Sequence, residues 1–246
     1  MSETERSVLR IAGEEAHHFL QNLVTNDLGK RAAGPVYAAL LTPQGKYKAD
    51  FFLVADGDDI LLDVATPIAA DLKKALTLYK LRAKVEISDT DIAVARGTGA
   101  PPEGAYADPR DPRMGWRAYD GRPSEAGVDW DALRVAACIP ESGVELTPES
   151  YILEMGFERL NGVDFRKGCY VGQEVTARMK HKTELKKGLA VVEVDGEAAP
   201  GTEITADGKP AGVLYTQAGG AGLAFLRFAR ATGDMEAGAA RVKVQG

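Results

Sequence analysis

Two cysteines and three histidines are the scarce reactive side chains of this 246-residue chain, and one of them sits in an unusual setting. Cys169 lies in RKGCYVGQEVTARMKHKTELKK, residues 166–187, where seven Lys/Arg face two Glu, a local net charge of +5. The chain as a whole carries −6, so the remainder carries −11. A neighbouring ammonium, Lys167, favours thiolate over thiol, and Gly168 and Gly172 let a backbone bend or approach a ligand closely. The expected chemistry is that of a reactive thiol. Its alternative is a small buried hydrophobe, the commonest state of a free cysteine. Cys138, among Ala136, Ala137 and Ile139, fits that alternative and is assigned to the core. Gln173 and Glu174 either orient the Cys169 loop or cap the helix that follows it. Arg178 stands four residues after Glu174, where a helix allows a simple salt bridge.

Other chemistries are excluded by what the chain lacks. A three-histidine metal site would need His17, His18 and His181 together, and the adjacent pair points about 100° apart on a helix. There is no HExxH, GxSxG, CxxC or GxxxxGK[ST], which removes zinc-hydrolase, serine-hydrolase and phosphate-loop readings. An iron–sulfur cluster takes four ligands, so two cysteines cannot hold one alone and any cluster must be shared. The acidic balance and the single interleaved aromatic, Tyr170, argue against direct nucleic-acid binding. No apolar run reaches membrane-spanning length, and the charged start and few cysteines point to the cytoplasm.

The elements that must carry these residues read as α+β. Ser7–Ile11 has a strand pattern, and Glu14–Leu23 places Ala16, Phe19, Leu20 and Leu23 on one helical face. Val36–Leu41 and Tyr47–Ala55, joined by Thr42-Pro43-Gln44-Gly45-Lys46, predict a β-hairpin. Strand Ile60–Val64, a helix opened by Pro67 with Ile68, Leu72, Ala75, Leu76 and Leu78 inward, and strand Ala83–Ile87 complete a βαβββαβ unit. Residues 97–127 are rich in Pro and Gly, but Tyr106, Trp116 and Tyr119 interleave with Arg110, Arg113 and Arg117, so an ordered irregular segment is expected rather than a linker. Trp130–Cys138 reads as a short helix. After Gly188 the pattern is strand and turn only: Leu189–Val194, Thr202–Ala206, Ala211–Thr216, Leu223–Leu226 and Arg241–Val244, a small barrel or sandwich.

Lys167-Gly168-Cys169-Tyr170-Val171-Gly172-Gln173-Glu174, followed by Arg178, resembles the KGC[FY]xGQE signature of the YgfZ-type folate-binding proteins, relatives of the glycine-cleavage T-protein. Leu20-Gln21 to Thr25-Asn26-Asp27, the hairpin turn 42–46, the segment Leu78–Val85, Asp108-Pro109-Arg110 with Gly115-Trp116-Arg117, and Gly212-Val213 with Gly222–Arg227 extend the resemblance over nearly the whole chain. It implies a T-protein-like ring: an α+β folate-binding subdomain over 1–95, a second α+β, partly irregular subdomain over 96–187 carrying the cysteine motif, and a C-terminal β-barrel over 188–246. It further implies tetrahydrofolate or a derivative as ligand, and a role in assembly or repair of iron–sulfur clusters with client or assembly proteins as partners, tRNA-methylthiolating enzymes among them. Cys169 and Lys167 would be the functional pair, with Cys169 a transient cluster ligand. Asn26, Asp27, Tyr37, Asp50, Arg82 and Trp116 have the residue types a folate slot needs.

Two alternatives stay open. One is a folate-dependent aminomethyltransferase like the T-protein. That family has paired aspartates after its hairpin turn, where this chain has Gly45-Lys46-Tyr47-Lys48-Ala49-Asp50 and keeps one carboxylate. The other is a module that senses folate without chemistry, whose function would survive Cys169→Ser.

Overall fold

The computed structural model describes residues 5–181 and 184–244. Strands β1 (Arg6–Ala12), β2 (Val36–Leu41), β3 (Tyr47–Asp56), β4 (Asp59–Ala65) and β5 (Glu86–Asp89) form a sheet in the order β2-β3-β4-β1-β5, every pairing antiparallel. Period-two alternation divides β2 and β3 between two cores. Val36, Ala38, Leu40, Phe51 and Leu53 pack under helices α1 (Ala16–Gln21) and α2 (Thr66–Lys80). Tyr37, Ala39, Leu41, Tyr47 and Phe52 face the other way, onto Met114, Trp130, Ile152, Phe157 and Tyr170 of the middle of the chain. The two α+β parts therefore share one core. Both sheet faces are covered, which is why all six residues of β2 are buried.

The outer edge of β2 is closed by the chain just after α1. Thr25 N–H donates to the Ala39 carbonyl at 3.0 Å, Thr25 Oγ1 accepts from Ala39 N–H at 2.8 Å, and Asn26 Nδ2 donates to the Tyr37 carbonyl at 2.8 Å.

The Pro- and Gly-rich stretch is ordered, as its aromatics predicted. It holds a small sheet, β6 (Ala95–Gly97), β7 (Tyr106–Ala107) and β8 (Trp116–Ala118), in the order β6-β8-β7. Gly97 is needed there because Trp116 lies flat against its backbone, where any side chain would collide with the indole. From the opposite face of β8, Arg117 is fully buried over the Phe52 ring at 3.5 Å. It bonds Asp63 Oδ2 at 2.5 Å and Asp108 Oδ2 at 3.1 Å, while Arg6 bonds Asp63 and Arg110 bonds Asp108. Burial by itself would raise both carboxyls, but Arg6 and Arg117 outweigh it at Asp63, and Arg110 and Arg117 at Asp108, holding each below the ordinary range.

Helix α3 (Trp130–Ala137) is capped by Asp129, whose carboxylate accepts from Ala132 N–H. Its buried Arg134 bonds Glu145 and Thr216 Oγ1, and Glu145 accepts from Thr216, which ties the helix to the C-terminal unit. That unit is a closed barrel of β9 (Lys187–Asp195), β10 (Thr202–Ala206), β11 (Lys209–Ala218), β12 (Ala221–Arg227), β13 (Met235–Ala237) and β14 (Ala240–Val244). The sequence pattern showed five of these strands. β13 escaped because only three residues pair, between turn residues on both sides.

Three further expectations are corrected. Leu78 is 70% exposed, since it sits two residues, about 200°, from the inward Leu76. The last strand of the first unit starts at Glu86 rather than Ala83, because Ala83 and Val85 close successive turns onto Lys80 and Ala83 carbonyls. Cys138 is half-buried rather than a core residue. It ends α3 in the left-handed region, φ 51°, with its thiol pushed up by burial.

Candidate functional site

Cys169 is exposed, and the residues around it explain why. Lys167 is buried, with Nζ donating to the carbonyls of Gln21 at 2.6 Å and Val24 at 2.5 Å, at and just beyond the end of α1. Cations are favoured at helix C-termini, where carbonyls lack partners. Tyr170 is buried in the shared core, and Val171 packs against the core beneath α1 and α2. With 167, 170 and 171 turned inward, Gly168 and Cys169 are left on the surface. Burial lowers Lys167 from its ordinary 10.5 to about 8, offset in part by Asp27 and Asp164. The ammonium expected to activate the thiol is thus a latch, directed to main-chain carbonyls of another segment.

The latch belongs to a longer strap. Thr25 Oγ1 donates to the Gly162 carbonyl at 2.7 Å, Asn26 Nδ2 to the Asn161 carbonyl at 2.6 Å, and Asp164 N–H to the Thr25 carbonyl at 3.0 Å. Lys30 Nζ reaches Asp164 Oδ2 at 2.7 Å. Residues 161–167 therefore run against residues 21–30. On the far side of the cysteine, Gly172 (φ +82°) meets the hairpin turn between β2 and β3. A Cβ there would lie 2.6 Å from the Thr42 carbonyl oxygen and 3.1 Å from Gly45 Cα. Gly45 (φ +75°) has the reciprocal constraint, its Cβ falling 2.8 Å from Val175 Cβ. Three motifs far apart in sequence, 20–27, 42–46 and 167–174, meet around one thiol.

The remaining motif residues have plainer places. A Cβ on Gly168 would meet nothing within 4 Å, so no packing demands glycine there. Gln173 begins α4 (Gln173–His181), its N–H bonded to the Tyr170 carbonyl. Glu174 and Arg178 form an exposed i,i+4 pair at 2.9 Å, the simple salt bridge that their spacing allows. Lys182 of the basic stretch lies outside the described residues.

Of the residues offered for a folate slot, three come together. Asp50, buried, accepts from Tyr37 hydroxyl at 3.0 Å, Tyr47 hydroxyl at 2.7 Å and Ser142 Oγ at 2.5 Å. Burial, reinforced by Asp50, raises both tyrosine hydroxyls far above their ordinary range, so they stay protonated donors. Asn26 touches this cluster through the Tyr37 carbonyl. Asp27 caps the short 3-10 helix at 28–33 by accepting from Gly29 N–H. Arg82 is exposed in the turn after α2, outside the cluster, and Trp116 is packed on Gly97. Tyr47 and Ser142 were missed by sequence reasoning. Tyr47 lies three residues from Asp50, a strand spacing that gave no reason to pair them, and the hydrogen bond to Ser142 spans 92 positions.

The arrangement presents a single exposed thiol on an immobilised loop. Among the described residues, no group of three or more His, Cys, Asp and Glu forms a metal-holding cluster. A cluster held at Cys169 therefore requires ligands from another molecule.

The C-terminal segment, residues 186–246, matches the family model for the CAF17 C-terminal beta-barrel domain. The chain is 31% identical to the mouse mitochondrial iron–sulfur cluster assembly factor IBA57, over 90% of this chain and 75% of that protein. It is 32% identical to the human protein of the same name, with the same coverages. In fold it matches the crystal structure of the glycine cleavage system aminomethyltransferase T from Bartonella henselae, with a TM-score of 0.72 at 11% identity, covering 99% of this chain and 83% of that one. The architecture is thus an α+β aminomethyltransferase T-like fold ending in a six-stranded barrel.

Proposed function

The chain belongs to the IBA57 family of iron–sulfur cluster assembly factors, and from that premise we propose that Cys169 is the thiol through which it works, as one ligand of a cluster shared with an assembly partner during transfer. The observation that carries this reading is the exposure of Cys169 between anchored neighbours, Lys167 on one side and Tyr170 on the other. A thiolate at Cys169 supplies one bond to iron, and the partner supplies the rest. The loop anchors keep that thiol in place while a protein surface approaches. Enzymes with [4Fe–4S] clusters, tRNA-methylthiolating enzymes among them, are the proposed clients, and the cytoplasm the proposed location.

The test is recovery of activity by an apo-[4Fe–4S] dehydratase supplied with a cluster-donor protein and this factor. Cys169→Ser is expected to lose the stimulation while keeping the wild-type melting temperature, since the side chain is exposed. Cys138→Ser is expected to keep both. Full stimulation by Cys169→Ser would overturn the proposal and favour a folate-sensing module.

Tetrahydrofolate binding is a second proposal, supported by the resemblance of the cysteine motif to folate-binding relatives. Three of the six residues offered for it are engaged inside the fold and do not line an open pterin slot. Tyr37 is fully buried, both amide protons of Asn26 go to main-chain carbonyls, and Asp50 already accepts from three hydroxyls. That engagement of Asp50, with Ala49 in place of a second carboxylate, disfavours an aminomethyltransferase. Anaerobic calorimetric titration with tetrahydrofolate decides the matter: saturable heat supports binding through other groups, and its absence removes folate from the account.

A further inference from the structure

Beyond the thiol, the junction of α4, β9 and β12 holds a cleft of about 510 Å³. Its walls carry Lys186, Lys187, Arg227 and Arg230 against only Glu154 and Glu184, in a protein whose net charge is −6. The register of the barrel sets Arg227 directly opposite Lys187, a like-charge pairing that costs stability in an antiparallel ladder. Lys187 has Glu154 at 3.5 Å, whereas Arg227 makes no ion pair among the described residues. Met179 and Leu185 add an apolar wall, and the neighbouring Phe228 is 43% exposed.

We propose that this cleft docks an acidic segment of the partner protein, its carboxylates meeting Arg227 and Lys187 and an apolar side chain lying on Met179 and Leu185. This rests on the cluster-sharing role of Cys169. Charge complementarity selects the occupant: opposed cations need anions, and an apolar wall with an exposed phenylalanine beside it suits a peptide better than a small inorganic ion. The position of the cleft also fits. α4 begins four residues after Cys169 and reaches the cleft with Met179, a helix of nine residues, about 13 Å long. One short helix thus joins the thiol-bearing loop to the cleft.

The experiment measures fluorescence anisotropy of a short fluorescein-labelled peptide of alternating Glu and Leu against the full chain at low and moderate salt. Arg227→Glu is expected to weaken binding at least about tenfold, because it reverses one charge of the pair. Lys74→Glu, an equal charge change on the exposed face of α2, is expected to leave binding near wild type. Equal weakening by both variants, or no saturable binding by the wild type, would overturn the proposal. So would complete displacement of the peptide by stoichiometric citrate, which would mark a small-anion site. Cys169→Ser serves to separate the two readings: it should bind the peptide as wild type does. An intact peptide signal beside intact cluster transfer in that variant refutes the thiol and keeps the cleft. A missing signal in the wild type with transfer lost only in Cys169→Ser refutes the cleft and keeps the thiol.

Discussion

Replacing Gly172 by alanine should damage the protein more than any other single-methyl change in the cysteine loop. Its φ of +82° lies where a side chain costs about 1 kcal/mol. The added methyl would also sit 2.6 Å from the Thr42 carbonyl oxygen and 3.0 Å from Leu41 Cβ. The first of these is main chain, so relief requires shifting the hairpin turn, an overpacking cost of about 1–3 kcal/mol. The sum, about 2–4 kcal/mol, corresponds in a chain of this size to a melting temperature lowered by about 5–15 °C. Differential scanning calorimetry reads that loss. Hydrogen exchange reads its place, because Thr176 N–H is bonded to the Gly172 carbonyl and should lose protection. Gly168→Ala, four residues earlier, is the control. Its methyl meets nothing within 4 Å, and the change should stay within about 0.5 kcal/mol of wild type. Equal stability of the two variants would refute the claim that Gly172 is held by the turn.

Two other perturbations follow from the same physics. Lys167→Met leaves the Gln21 and Val24 carbonyls without their donor, a loss of about 1–3 kcal/mol in urea unfolding. Because Lys167 falls to about 8 in the folded chain, the unfolded chain binds more protons between that value and 10.5, so wild-type stability gains a rising component across this window that Lys167→Met should lack. Asp63→Asn leaves Arg6 and Arg117 facing an uncharged amide and should cost about 3–5 kcal/mol at neutral pH. The depressed Asp63 and Asp108 carboxyls contribute stability that is present above the ordinary aspartate range and lost as pH falls below it, so the variant's acid unfolding curve should also be shallower.

Local signals in the sequence located most of the strands and helices because each carries its own period. The long runs of β2 and β3 around a Pro- and Gly-bearing turn, the proline opening α2 and the turn residues of the barrel act over a few positions. The cysteine motif was legible for the same reason, as one contiguous run. What pairs with that run was not legible. Lys167 looked like an activator because it stands two residues from Cys169, yet its partners lie 146 and 143 positions away and are main-chain carbonyls, which no side-chain pattern announces. The folate candidates were chosen by residue type, and type does not reveal that Asn26 and Asp50 are already satisfied inside the fold. The buried arginines of residues 110 and 117 were visible as interleaved charges, but their carboxylate partners include Asp63 on another sheet.

The closure of the β2 edge has a consequence for how variants of this protein fail. Val36–Leu41 is an apolar strand, and its outer edge is covered by the short segment Val24–Asn26. Thr25 and Asn26 are in turn pinned by the carbonyls of 161 and 162, and the preceding Val24 carbonyl is held by Lys167, two residues before Cys169. An unguarded edge of this kind is a template for strand addition by another molecule. The segment that leads into the cysteine loop therefore also holds the guard of this edge in place. Substitutions that loosen it should surface first as poor solubility and yield, before any defect in cluster handling can be measured.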